Sequence, residues 1–480
     1  MHSSRSTENL RLLSWQRVRE YAVPPPMIEI STARRQMGDW AGACAAAHVD
    51  LDVNLRDLRH RHGAELPSAV RADLRHLAPD LLRWHMPRVL PDGLLRPGTS
   101  CTLARYHLPD GGTGHLVVRT PPAWAAGPQR MSLAWWDAAD AAAPHPDRRF
   151  RLDLHRHLWD VRRSDELAER AGRAPEAATP VGPDPAVATP SDWAVTRWAA
   201  EAALLVESDG APDSGVVVYL GARRLVLRLD DDGTPWPPTP EDLADLLDEG
   251  RLSGTPQARR RRVPGIAVLP NAATWVPPDV LLLRAGLIAP GDLHPLVAHA
   301  LAPGSIRSRR PESAPGTRQV ECRGALHRLA VVDGVLTALD HPPDEVRREE
   351  LLARLGGTPL PCLHVIDQLH RAPTALADVR ARLDHGDVDS ALAVIENLLG
   401  PEAVLRVGDL QDELAAVAAG RTAYGAYRAG LLPLLLDIDP EVPPDPYARS
   451  DQSFRARVVA SSTPRRQRDR HTRRLLAASH

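Results

Sequence analysis

Residues 325–357 read "ALHRLAVVDGVLTALDHPPDEVRREELLARLGG", and this stretch decides the fold class. Asp333 and Gly334 are the pair a type I′ turn requires, because both central positions need positive φ. The runs on either side are rich in Leu, Val and Ala, so a β-hairpin is predicted. Pro343 then opens a helix at its first turn, and Gly356 stops it.

A second unit upstream has the same grammar. "GVVVYL" (215–220) and "RRLVLRL" (223–229) form a predicted hairpin, followed by a proline-rich crossing around Trp236 and the helix "EDLADLLDEG" (241–250). Ahead of it, "SDWAVTRWAAEAALLVES" places Val195, Trp198, Ala202 and Leu205 on one helical face behind a Ser191 or Asp192 cap. Hairpins that alternate with helices predict an α+β fold built on small antiparallel sheets.

Farther out, residues 1–95 read as helical. Pro26 opens a helix that Gly38 ends, and Asp39 caps the next; Gly386 and Asp387 repeat the device inside "VRARLDHGDVDSALAVIENLLG". Asn54 caps "LRDLRHRHG". From 96 to 167 the pattern turns to β, with "SCTLARYHL" and "HLVVRT" flanking Gly111, Gly112 and Gly114, then "MSLAWWD" and "RFRLDLHRHLWD". Residues 168–190 have the Pro/Ala composition of a linker. The expected second domain is 191–438, divisible into hairpin–helix subdomains at 191–305 and 318–438. Residues 439–480 read as a disordered Arg-rich tail, and a helical C-terminal region precedes them.

The 480 residues balance 59 basic against 61 acidic side chains, yet every basic residue is Arg. A chain without Lys excludes Schiff-base chemistry, P-loop nucleotide binding and kinase-type phosphate binding. From Arg449 onward nine Arg face only Asp451 and Asp469, a formal +7 that leaves the rest of the chain at −9. Cys44, Cys101, Cys322 and Cys362 form no C-x-x-C pair, which fits a reducing cytoplasm and offers no local zinc knuckle. The N-terminus lacks the apolar core of a signal peptide, and "GLLPLLLDI" is too short to span a bilayer, so no membrane association is expected.

One segment has a metal-like pattern. As a strand, "RLDLHRHLWD" would project Asp153, His155 and His157 from one face, a ligand set suited to zinc or iron. The polar face of any half-buried strand shows the same alternation. His294 with His299, and His364 with Asp367 and His370, lack ligand spacing on a helix. The run Asp230 to Gly233 lacks the spacing of a calcium loop, and Cys44 reads as a small core residue. Arg465, Arg466, Arg468, Arg470, Arg473 and Arg474 could meet nucleic-acid phosphates or an acidic partner. Trp236 and Trp275, in proline-rich loops, are candidate protein contacts.

The runs "WQRVREYAVPPPMIEISTARRQMGDWAGACAAA", "RADLRHLAPDLLRWHMPR", "CRGALHRLAVVDGVLTALDH" and "LGGTPLPC" resemble a family of uncharacterised actinobacterial proteins. The resemblance implies no activity, cofactor or catalytic residue. It implies an accessory role, with an AAA+ ATPase of the MoxR type or a von Willebrand A-domain protein as partner. The leading expectation is therefore a cytoplasmic, non-catalytic interaction or accessory protein with no cofactor. A metal-dependent enzyme using Asp153, His155 and His157 is the second expectation, and a nucleic-acid-associated regulator acting through the tail is the third.

Overall fold

A computed structural model describes residues 2–139, 145–172, 190–210, 212, 215–221, 223–247, 267–304, 318–322, 325–332, 335–338, 340–355, 360, 374–399 and 409–431. It shows an α+β protein in two compact units. The first comprises Met1–Pro87, Gly98–Thr120 and Met131–Arg307; the second comprises Arg88–Pro97, Pro121–Arg130 and Ser308–His480. Residues 191–305, expected to start a separate domain, thus belong to the first unit. Most of the expected linker and the whole tail lie outside the described residues.

The first unit opens with helices α1 (His2–Tyr21), α2 (Pro25–Gln36) and α3 (Trp40–Ala46). Gly38 between α2 and α3 has φ +77, and the Asp39 carboxylate accepts from the Gly42 amide at 2.8 Å. Both halves of the expected break therefore form. Strand β1 (Val49–Leu51) interrupts the helical run expected to residue 95. Asn54 then caps α4 (Leu55–His62), accepting from two backbone amides at 3.1 Å, before α5 (Glu65–His76) and α6 (Pro79–His85).

Strands β2 (Ser100–His107), β3 (Thr113–Arg119) and β4 (Met131–Trp136) form an antiparallel meander. β1 joins its β4 edge in parallel, Val49 opposite Met131, so the sheet is mixed rather than purely antiparallel. A three-residue strand with no turn signal beside it shows too little alternation to read from sequence.

The first unit continues with α7 (Val195–Asp209), the hairpin β5 (Val216–Leu220) and β6 (Arg223–Leu227), α8 (Pro240–Leu247), β7 (Ala267–Val268), α9 (Pro278–Arg284) and α10 (Pro295–Leu301), besides shorter helical turns. Trp198, Ala202 and Leu205 of α7 pack on Val216, Val218 and Leu220 of β5 and on Leu243 and Leu246 of α8. The helical face read from the sequence is the one buried. Burying a side chain the size of Val or Leu stabilises by about 1.5–3 kcal/mol.

The second unit holds a three-stranded antiparallel sheet, β8 (Arg318–Cys322), β9 (Ala325–Val332) and β10 (Val335–Ala338). Val332 pairs with Val335, as the predicted hairpin demands, while Asp333 and Gly334 lie outside the described residues. Helices α11 (Pro343–Arg354), α12 (Thr374–Asp384), α13 (Val388–Leu399) and α14 (Asp409–Arg428) follow. Val379 and Leu383 of α12 pack on Ala391 and Ile395 of α13, across the Gly386 break. No helix among the described residues is long and apolar enough to cross a membrane.

Candidate metal centre

Strand pairing in the second unit brings three donors together. Val320 of β8 pairs with His327 of β9, and side chains alternate along a strand. Cys322, two residues beyond Val320, therefore shares a face with His327. The next hairpin returns the chain to the same place, because the pair Leu329–Ala338 lies two residues from His327 and three from His341. Cys322, His327 and His341 each present one ligand atom, all within 4.8 Å of one another. Among the described residues they are the one group of three or more His, Cys, Asp or Glu donors close enough for a common ion.

The geometry within the group is specific. His327 Nδ1 faces His341 Nε2 at 2.7 Å, with ring centroids 4.2 Å apart. On its other side, His341 Nδ1 lies 3.1 Å from the Glu345 carboxylate in the first turn of α11. Cys322 is fully buried, and both histidines are half-buried. Burial works to lower the His341 pKa, but the Glu345 carboxylate and the Cys322 sulfur outweigh it and raise the value.

A thiolate and two imidazoles suit a borderline-soft transition ion, zinc foremost. Zn–N near 2.0 Å and Zn–S near 2.3 Å put one sulfur and two nitrogens of a tetrahedral site about 3.3–3.5 Å apart. A small spreading of the two rings meets that requirement. Glu345 then occupies the place of an outer carboxylate, fixing the tautomer that leaves Nε2 free to ligate.

The metal set expected from the sequence does not assemble as predicted. Residues 149–160 form no strand; 3₁₀ turns at Arg148–Phe150 and Arg156–Leu158 replace it. The Asp147 carboxylate caps the first turn, and the Trp159 indole donates to the Leu152 carbonyl at 2.9 Å, folding the segment on itself. Leu152, His155, His157 and Leu158 are consequently all buried, and the two-faced alternation is lost. Arg105 and Arg151 hold the Asp153 carboxylate at 2.9 and 2.6 Å. His155 Nδ1 takes a hydrogen bond from Arg170, which also pairs with Glu201. Burial, opposed by Glu201 and aided by Arg170, brings the His155 pKa down to about 4.

His294 Nε2 meets Asp80 at 3.0 Å in a fully buried pair, and His299 is at the surface. Asp230 closes a turn by accepting from the amides of Asp232 and Thr234. Burial pushes the Cys44 thiol up to about 12, in keeping with a core residue. Trp275, expected as a contact, packs partly buried on the α7 core with the Arg11 guanidinium 5.2 Å from its ring centre. Trp236 is 60% exposed. His364, Asp367, His370 and the tail arginines lie outside the described residues.

Two surface concavities of the first unit are lined by charged residues, several of which pair with one another. The first, about 310 Å³, is lined by Asp52, Asp57, Arg61, Trp135 and Asp137, and Arg61 bridges Asp57 and Asp137. The second, about 350 Å³, places Arg163 beside Glu166, and its Arg170 pairs with Glu201.

The sequence signal for the metal group was present but indirect. Cys322 and His327 are five apart across a hairpin, and His341 follows the next hairpin. No spacing rule for helices or knuckles captures that pattern; only register does. No family model matches the chain, and neither the curated proteins nor the solved structures contain a match to it.

Proposed function

We propose that this chain is a metal-binding accessory protein whose second unit holds a transition ion, zinc by preference, on Cys322, His327 and His341. The observation that carries the reading is the convergence of one thiol and two imidazoles within 4.8 Å, with Glu345 behind His341. A surface group of carboxylates often gathers without an ion. A buried cysteine beside two facing imidazoles is instead a donor set of the kind that zinc prefers.

Metal analysis of the purified full-length chain tests it. One zinc per chain is expected, falling to background in the double variant Cys322→Ser/His327→Ala with the circular dichroism spectrum retained. Substoichiometric metal after zinc loading, or full occupancy in the double variant, overturns the reading.

Contact with a protein partner belongs to the same proposal and draws on Trp236, a large indole exposed in a loop. Trp and Tyr dominate the energetics of protein contacts. If Trp236→Ala leaves crosslinking to a candidate partner unchanged, that part of the proposal fails.

A further inference from the structure

We infer that the metal is the staple that ties the start of α11 to the β8–β10 sheet, so that metal occupancy sets how readily this helix opens. The inference rests on the metal-binding reading above and extends it to regulation. Its basis is where the donors sit in the chain. Cys322 ends β8, His327 lies in β9, and His341 stands two residues before α11. An ion shared by the three ties the start of the helix to two strands of the sheet.

Leu351, Leu352 and Leu355 are 57%, 46% and 85% exposed, so these leucines supply little of the apolar burial that normally anchors a helix. A segment of 12 residues is marginal as an isolated helix in water. Asp344 and Arg347 on the same helix face solvent and pair only at 3.8 Å, an exposed contact of small effect. Against this, Glu345 reaches back to His341 at 3.1 Å. The helix is thus linked through His341 to the very group that ligates, and metal–ligand bonds fix that group far more firmly than the imidazole–imidazole hydrogen bond alone.

Without the ion, His341 keeps its hydrogen bonds to His327 and Glu345 and its contact with the sulfur. Local opening of α11 then breaks no coordination bond. With the ion in place, opening must first break coordination, and ligand binding to the closed form alone lowers the open population in proportion to free metal over Kd.

Hydrogen exchange of the full-length chain, followed segment by segment with zinc and with chelator, tests the inference. With free zinc at a hundred times Kd, exchange of the α11 amides slows by about a hundredfold relative to the chelated protein. Amides of β3 in the first unit keep one rate in both samples and serve as the reference. In Cys322→Ser/His327→Ala the zinc-dependent slowing disappears. Stoichiometric zinc with unchanged α11 exchange overturns the staple and leaves the metal site standing. Slowing that persists in the double variant overturns the staple as well. Failure of the wild-type chain to retain zinc overturns both readings.

Discussion

His341 stands between two partners, with Nε2 2.7 Å from His327 and Nδ1 3.1 Å from the Glu345 carboxylate. The carboxylate therefore orients the ring and selects its tautomer before any ion arrives. Glu345→Gln keeps the size and loses the charge, so metal affinity is expected to fall about 10- to 100-fold, the usual effect of removing an outer-shell partner. Competition with a chromophoric chelator measures it. An unchanged affinity would show that Glu345 does not orient His341.

Arg19 and Asp279 form a buried pair in the first unit, at 2.7 and 2.9 Å, with Trp84 donating to the same carboxylate. The Arg19 guanidinium also lies 4.4 Å from the Trp84 ring centre. Burial lowers the Arg19 pKa, and Asp279 counters it. Arg19→Met strands a buried carboxylate and should destabilise by about 3–5 kcal/mol. Asp279→Asn alone is also costly, but the double variant should lose less than the sum, with a coupling of about 0.5–3 kcal/mol. Urea unfolding of the four proteins provides the cycle, and strict additivity would contradict the pairing.

Acid should weaken the first unit through its buried histidines. Burial brings His85 down to about 3 against the opposing pull of Asp279, brings His155 down to about 4, and lowers His157 well below the usual range. An unfolded histidine titrates near 6.5. Between about pH 6.5 and 4 the unfolded chain thus binds protons that the folded chain refuses. Stability is fully present above about pH 6.5 and is lost as pH falls, by up to about 1.4 kcal/mol per pH unit for each histidine. Urea midpoints at pH 7.5 and 5.0 check the direction. A flat profile, or one that rises toward pH 5, would refute it.

Gly38 and Gly386 are a matched pair with φ of +77 and +83. A Cβ on Gly38 meets nothing within 4 Å, whereas on Gly386 it comes 2.6 Å from the Pro128 carbonyl oxygen. Gly38→Ala should cost only the left-handed conformation, about 1 kcal/mol after the gain from a stiffer unfolded chain. Gly386→Ala adds a clash with backbone and should cost clearly more. Equal losses in thermal unfolding would mean the Pro128 approach is not maintained in solution.

The four glycine and cap residues at 38, 39, 386 and 387 were legible because each acts on the few residues beside it. So was the α7 face, where Trp198 and Leu205 obey helical periodicity and are buried as that periodicity requires. Alternation alone does not make a strand. Residues 151–158 alternate like a strand, yet Asp147 and Trp159 have stronger local uses for the backbone, and two 3₁₀ turns result.

The metal group marks the limit of local reading. Turn chemistry, caps and helix faces are short-range effects, and the residues in "ALHRLAVVDGVLTALDHPPDEV" dictate a hairpin and a helix without help. Which side chains then meet depends on register between strands and on where the chain leaves them. A slip of one residue would send His327 to the opposite face of the sheet from Cys322. The same holds for Arg19 and Asp279, 260 positions apart and joined only because α1 and α9 pack together. Local chemistry chose the elements; long-range pairing and packing chose their neighbours, and the candidate site is made entirely of neighbours.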